Sequence, residues 1–497
     1  MVDYIIIFST IFIVIYLTHY LYGYFQQEHY HPFKLLKHFK LYYFELTQVF
    51  FLIGIYTIFL LYLITHMWYW IIFLLFFYLG LYYKTSKNFI KIKYTKRTIR
   101  YFLLYYVLTA FVLLTSIIYK DIYVVLMLVV NPVIILINFY LLYPLEKLIN
   151  KRYVKKAYQK LNKIRARKIA VVGSYGKTST KNFLDTLLST KYFVKTSKNS
   201  VNTLMGITKM INEDIKIYDD VLLFELAATH KNDIYDLTNL VEPEIVVLTG
   251  ITYQHTSTFK TIENIINEKM KVLTSKSLKA VIINDDCEYL KNYNYPKHLK
   301  LIRCSIKNSD CEYYYDGDFI YHKQINLATI KPNIYGDGNK SNYLLAVVTS
   351  LYLGLDIDMI KDKSALIKSA PHRLEVRKKD NLVIVDNSYS SNIVGFENSL
   401  KFLKEHKESK VIITPGIVDL GKYTKMINER AAAMLLDIDV ILIKNESSIY
   451  ISNYLDKHRK EYKMFNSFKE AYSFVLSNYQ EAIVLIENDL PENYLRG

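Results

Sequence analysis

The sequence predicts a multi-span α-helical membrane domain followed by an α/β protein. Three observations carry this. Five long apolar runs without charged side chains end by Tyr143, short β-branched runs alternate with helical patterns beyond Ile169, and a glycine-containing turn, GSYGKTST, joins the first of those runs to a helix. The 497 residues exceed the ~250–300 at which a single core stops growing, so several domains are expected. With 52% hydrophobic and 22% charged residues, the chain fits neither a pure membrane bundle nor a disordered polymer. The average conceals two unlike halves.

The apolar runs are 4–24, 46–64, 68–83, 101–118 and 122–143, which sets a membrane domain at 1–143 with about five transmembrane helices. About 20 apolar residues cross the hydrocarbon layer; the third run is short, and Trp68 and Trp70 then anchor it at the interface. No basic stretch precedes the first run and no small-residue cleavage site follows it, so it reads as a span and not a removable signal. Lys and Arg resist translocation and mark the cytoplasmic side. Loop 26–40 holds Lys34, Lys37 and Lys40, and loop 84–100 holds seven basic residues and no acid. Connections near His66 and at Lys120 and Asp121 are short and nearly neutral, which puts them outside with the N-terminus. Five spans return the chain to the cytoplasm, giving a multi-pass protein of the cell membrane.

Segment 144–168 is a basic juxtamembrane linker of helical pattern, with ten Lys or Arg against the single acid Glu146. The rest of the chain is nearly balanced at 42 basic and 41 acidic residues, so the net charge of +17 belongs to the first third. Anionic lipid attracts such a segment at roughly 1 kcal/mol per basic residue, which makes membrane lipid the expected partner and removes the main support for nucleic acid. A solvated topogenic flank explains the charge equally well. Cys287, Cys304 and Cys311 form neither a metal-binding pair nor an even disulfide framework, as expected in a reducing compartment.

The soluble half carries two series of β-branched runs. IAVV (169–172), VLLFEL (221–226), EIVVLTG (244–250) and AVIIND (280–285) form the first; LVIVDNS (382–388), KVIITPG (410–416), VILI (440–443) and AIVLIEND (482–489) form the second. Alternation with helices predicts two largely parallel sheets, in domains 169–370 and 371–497. The turn GSYGKTST suits a phosphate site. Gly173 and Gly176 free backbone N–H groups, the helix start adds its dipole, Lys177 can reach phosphate oxygens, and the Thr178 hydroxyl can ligate Mg2+. Val171 stands where the full Walker pattern has its first glycine, so the turn carries only half of that motif.

The turn resembles the phosphate loop of the Mur ligase family, and other segments fit that family in order. These are SVNTLMGI (200–207), FELAATHKNDI (224–234), TGITYQHTSTF (249–259) with ENIINEKMKVL (263–273), IINDD (282–286), GDGN (336–339), PHRLEV (371–376), VDNSYSSN (385–392), ITPGIVDLG (413–421) and LIENDLPENY (485–494). The resemblance covers about 165–497 and is closest to the MurF branch, which adds D-alanyl-D-alanine to a muramyl tripeptide. It implies a P-loop Mur ligase central domain and a Rossmann-like C-terminal domain. The implied enzyme is an ATP-dependent acid–amino-acid ligase that activates a peptide carboxylate as an acyl phosphate for attack by an amine or dipeptide.

By that resemblance, Gly173, Ser174, Tyr175, Gly176, Lys177, Thr178 and Ser179 bind the triphosphate, and Thr178, Glu225, His255 and Lys269 serve two Mg2+ ions. Lys269 would carry a CO2-derived carbamate, with Lys271 as the nearby alternative. Asn284 and Asn339 would meet adenine or else act as turn residues. Arg373 and Asp386 would reach the nucleotide from the C-terminal domain or else form an inter-domain salt bridge. Lys177, His255, Lys269 and Arg373 form the catalytic set; Asn202, Thr203, Tyr389 and Asn392 face the other substrates. Glu225 inside VLLFEL is costly unless paired, and a buried salt bridge competes with metal ligation. The chain departs from the family at Gly338, Asn387 and Ile393, and in having apolar spans where a UDP-sugar-binding domain is usual. A polyglutamate-type synthase shares the chemistry, and a membrane scaffold or transporter with a vestigial ligase is the rival from another class.

Overall fold

The computed structural model describes residues 92–119, 122–197, 200–389 and 392–488, together with scattered positions between 15 and 30. Most of the first apolar run, all of the second and third, Trp68, Trp70 and most of loop 26–40 lie outside the described residues. The chain divides into two units, Met1–Arg152 and Tyr153–Gly497.

In the first unit, the fourth run lies in helix Lys96–Tyr119. The fifth does not stop at Tyr143: helix Ile122–Leu161 continues through Pro144 and takes up most of the basic segment. Among the described residues, one stretch, Val133–Leu161, is long and apolar enough to cross a membrane. Rings form the core of this unit, with Phe25 set edge-on to Tyr30, Tyr101 and Phe139 at centroid distances of 5.0, 5.8 and 5.3 Å. Leu103, Val107, Phe111, Ile137 and Leu141 point outward instead. Glu146, the lone acid of the basic segment, is buried and accepts Arg100 Nε at 2.6 Å.

The second unit contains two sheets. The nine-stranded sheet comprises β1 (Arg167–Val172), β2 (Val194–Thr196), β3 (Val221–Leu226), β4 (Ile245–Leu248), β5 (Ala280–Asn284), β6 (Lys300–Ser305), β7 (Tyr313–Tyr315), β8 (Phe319–His322) and β9 (Ile325–Thr329), in the order β2-β3-β1-β4-β5-β6-β7-β8-β9. It is parallel as far as β7 and closes with an antiparallel meander. Successive β1 side chains serve opposite faces: Ala170 and Val172 pack with Phe224 and Leu226, while Ile169 and Val171 pack with Leu223 and Phe183. Burial on both faces accounts for the continuous apolar runs that mark these strands.

The six-stranded sheet comprises β10 (Glu375–Lys379), β11 (Leu382–Asn387), β12 (Ser409–Thr414), β13 (Asp439–Ile443), β14 (Tyr462–Phe465) and β15 (Ala482–Glu487), ordered β10-β11-β15-β12-β13-β14. Only β10 runs antiparallel to its neighbour. Phe224, fully buried in the centre of β3, is the sharpest test of the first core. Phe224→Ala should cost about 3–5 kcal/mol, read as a lower denaturation midpoint of the full chain.

Candidate active site

β1 is flanked by β3 and β4, so the strand order turns round at β1 and the loop after Val172 opens into the crevice at the carboxyl ends of the strands. That loop is GSYG, leading into helix Lys177–Leu188. Side chains cannot be accommodated at its two glycines. A Cβ at Gly173 would lie 2.1 Å from Thr249 Oγ1, and one at Gly176, where φ is +77°, would lie 2.2 Å from Asn342 Oδ1. Ser174 N–H donates to Gly250 O at 2.7 Å and its hydroxyl to Thr252 O at 3.1 Å, which fixes the turn against the end of β4.

A cavity of about 310 Å3 lies over the turn, between the carboxyl ends of the first sheet and segments flanking the second. Ser174 to Ser179, Asn202, Glu225, His255, Asn339, Arg373, Tyr389 and Asn392 all line it. Glu225 is its organising group. The parallel register sets Glu225 beside Val171, one residue short of the end of β1, and leaves the side chain 1% exposed. Its carboxylate accepts Thr178 Oγ1 at 3.0 Å and Asn202 Nδ2 at 3.0 Å, and Lys181 Nζ lies 3.8 Å away. The expected buried salt bridge therefore exists, with Lys181 as partner, alongside the Thr178 contact. A hydroxyl and a carboxylate oxygen side by side on a cavity wall are hard donors of the kind Mg2+ takes, so these residues fit that ion.

Cations gather at the same turn. Lys177 Nζ donates to Gly173 O at 2.8 Å, and its pKa is pulled down to about 8, chiefly by burial; the nearby Arg373 charge adds to this and Glu225 opposes it. Lys269, at the end of helix Ile262–Met270, is buried and donates to the same Gly173 oxygen at 2.9 Å. Burial and the Lys177 charge push its pKa well down, which favours the neutral amine that carbamate formation requires. Lys271 instead binds Glu268 at 2.5 Å and Asn232 at 2.8 Å. His255 enters the cavity wall with its Nδ1 2.6 Å from Asp419 Oδ2.

Four expected site residues are placed differently. Asn284 donates to Thr249 O at 3.0 Å and accepts Asp286 N–H at 3.1 Å, tying strand ends together; it lines an adjoining cavity of about 410 Å3 that shares Tyr175, Gly338 and Asn398 with the first. Asn339 lines the first cavity and donates its amide N–H groups to Tyr335 O and Ser369 Oγ. Asp386 lines neither cavity. Its carboxylate is held by His372 Nδ1 at 2.7 Å and Ser388 Oγ at 2.7 Å, a pair within the second sheet's own segment instead of an inter-domain bridge. Thr203 is exposed and caps helix Leu204–Glu213 through Gly206 N–H, which is its local role.

Sequence reading missed a buried acid. Glu487, at the end of β15, is fully buried and accepts Ser399 Oγ at 2.6 Å and Asn387 Nδ2 at 2.8 Å; both partners line the cavity. Burial lifts its pKa from 4.5 to about 8 against those hydrogen bonds. The only sequence sign was an acid ending an apolar run. Because the folded value lies above the unfolded one, the stability this group contributes is complete below pH 4.5 and is lost as pH rises through about 8. Glu487→Gln, neutral and of the same shape, should flatten the thermal midpoint over that window; a profile as steep as the wild type's would contradict the assignment.

Comparison with known proteins agrees with this geometry. Residues 171–350 match the Mur ligase middle domain. The UDP-N-acetylmuramoyl-tripeptide–D-alanyl-D-alanine ligase of Borreliella burgdorferi is 24% identical over 352 residues, covering 66% of this chain and 72% of that one. The UDP-N-acetylmuramoylalanine–D-glutamate ligase of Prochlorococcus marinus is 26% identical over 321 residues, 62% of this chain and 64% of that one. The crystal structure of MurF ligase from Thermotoga maritima in complex with ADP shares the fold with a TM-score of 0.60 at 22% identity, covering 68% of this chain and 80% of that one. Loop, cavity, fold and matched segment agree: residues 171–350 carry a Mur ligase middle domain, and the chain is an ATP-dependent ligase similar to the Mur ligases.

Proposed function

We propose that the chain joins D-alanyl-D-alanine, or a similar amine, to a peptide carboxylate of a cell-wall precursor, working at the cytoplasmic face of a membrane. The observation that carries this reading is that Lys177 and Arg373 line one cavity together with the hydrogen-bonded Thr178 and Glu225 oxygen pair. Converting a carboxylate into an acyl phosphate needs a triphosphate tail held in line and its developing charge neutralised, with no protein nucleophile. Mg2+, when bound at Thr178 and Glu225, supplies charge neutralisation at the phosphates. Lys177 and Arg373 supply fixed positive charge, and the Gly173 to Gly176 backbone shapes the cradle. Lys269 as a carbamate and His255 would hold a second ion. Asn202, Tyr389 and Asn392 would orient the carboxylate and amine partners, and a neutral amine is the form that attacks.

The membrane half of the reading is supported by the five apolar runs, by the outward Leu103, Val107 and Phe111, and by the basic stretch within helix Ile122–Leu161. An outward apolar face is the reverse of a soluble helix pattern and suits lipid. Anchoring would hold enzyme and a lipid-linked acceptor in one plane, in place of contacts to a soluble nucleotide sugar. Turnover of the purified chain with ATP, Mg2+ and D-alanyl-D-alanine should therefore favour the lipid-linked over the UDP-linked peptide acceptor; preference for the soluble form would remove the anchoring idea.

Lys177 gives two further tests. Lys177→Ala should lower ADP release by about a thousandfold or more, as expected for loss of a phosphate-neutralising cation. A triphosphate binds the charged amine, whose pKa lies at about 8. Nucleotide affinity measured by calorimetry should hold below that pH and weaken by about tenfold per pH unit above it. Flat affinity from pH 7 to 9.5 would show that Lys177 does not meet the phosphates.

A further inference from the structure

The turn carrying His255 is gripped by a loop of the second sheet. His255 stands in left-handed backbone at φ 53°, and Asp419, in the loop after β12, does so at φ 59°. His255 Nδ1 lies 2.6 Å from Asp419 Oδ2, and Ser257 Oγ donates to the other oxygen of the same carboxylate. The backbones interlock around this contact. A Cβ on Gly421 would lie 3.2 Å from Ser257 N, and the Tyr253 and Tyr423 rings sit 4.9 Å apart. Two turns that both adopt strained conformations and meet through a shared carboxylate are matched parts.

A carboxylate accepts hydrogen bonds and does not donate them, so Asp419 selects the imidazole tautomer with hydrogen on Nδ1. That leaves Nε2 as the ring nitrogen able to bind a cation in the cavity. We propose that Asp419 is a positioning residue that orients His255 as a cation ligand, so that one divalent site is complete only while the loop after β12 is docked on residues 253–257. The second sheet then controls the chemistry of the first through a single side chain. This rests on the reading of His255 as a ligand; no role for Asp419 itself follows from the motif that contains it.

Mn2+ titration of the full-length chain, with a non-hydrolysable ATP analogue present and free Mn2+ followed by electron paramagnetic resonance, tests this directly. His255→Ala should lose one of two bound ions. Asp419→Ala should weaken that ion by about 10–100-fold, the range for removing a partner behind a metal ligand, while the other ion and nucleotide affinity stay unchanged. Asp419→Asn keeps an acceptor for Nδ1–H and should recover affinity to within about threefold, which loss of packing alone would not predict. Asp419→Leu fills the same space without an acceptor and serves if the alanine variant is unstable. Wild-type Mn2+ binding by Asp419→Ala or Asp419→Leu, beside loss of an ion in His255→Ala, overturns the proposal. Two ions retained in His255→Ala overturns it at its root, and Lys177-dependent ADP release then still tells whether the ligase reading stands.

Discussion

A buried carboxylate is the constraint on which the site is built. Glu225 lies on a strand enclosed on both faces, where an unpaired charge would be prohibitively costly. It is tolerated because two elements bring it three partners: Thr178 from the helix after the phosphate loop, Lys181 one turn further along the same helix, and Asn202 from a later loop. Satisfying the acid therefore fixes the helix, β3 and the 200–203 segment relative to one another. The parallel register of β1 and β3 completes the arrangement by delivering the acid beside the phosphate turn.

Lys177, Lys269 and Arg373 are drawn together around the same turn, and burial, with repulsion between the cations adding to it, depresses the pKa values of both lysines. Such crowding is unfavourable for an isolated fold. It suits a polyanion, since preorganised cations in a partly desolvated cleft interact with phosphate oxygens far more strongly than they would in water. Lys177 and Lys269 donate to one carbonyl, Gly173 O, so the glycine turn serves as an anchor for cations as well as a cradle. The second sheet adds Arg373 and, through Asp419, a hold on His255. Both sheets are thus needed to assemble one site.

How far the residues disclosed this depends on the periodicity each element required. Strands buried on both faces, such as β3 and β15, announced themselves as unbroken apolar runs. Those missed were short, marginal or charged: β2 has three residues, β6 is interrupted by Arg303, β10 is the charged edge strand EVRKK, β14 is the four-residue edge strand YKMF, and the β7 to β9 meander mixes tyrosine with polar residues. Edge strands carry no obligation to be apolar, so pattern cannot find them. The boundary placed at Tyr143 by the end of the apolar run falls within a helix, which continues through Pro144 to Leu161.

By itself, the sequence determined the local chemistry: a strand–glycine turn–helix able to cradle phosphate, an acid out of place in an apolar strand, and two series of parallel strands. Tertiary structure alone decided which groups meet. It spent Asn284, Asn339 and Asp386 on holding their own surroundings, set Lys269 on the phosphate turn and Lys271 on Glu268, and placed Glu487 beneath the cavity and Asp419 behind His255. The reason is that a side chain's hydrogen-bonding capacity is local and visible in its type. Which partner takes it up depends on strand order and on two turns brought together by residues more than a hundred positions apart in the chain.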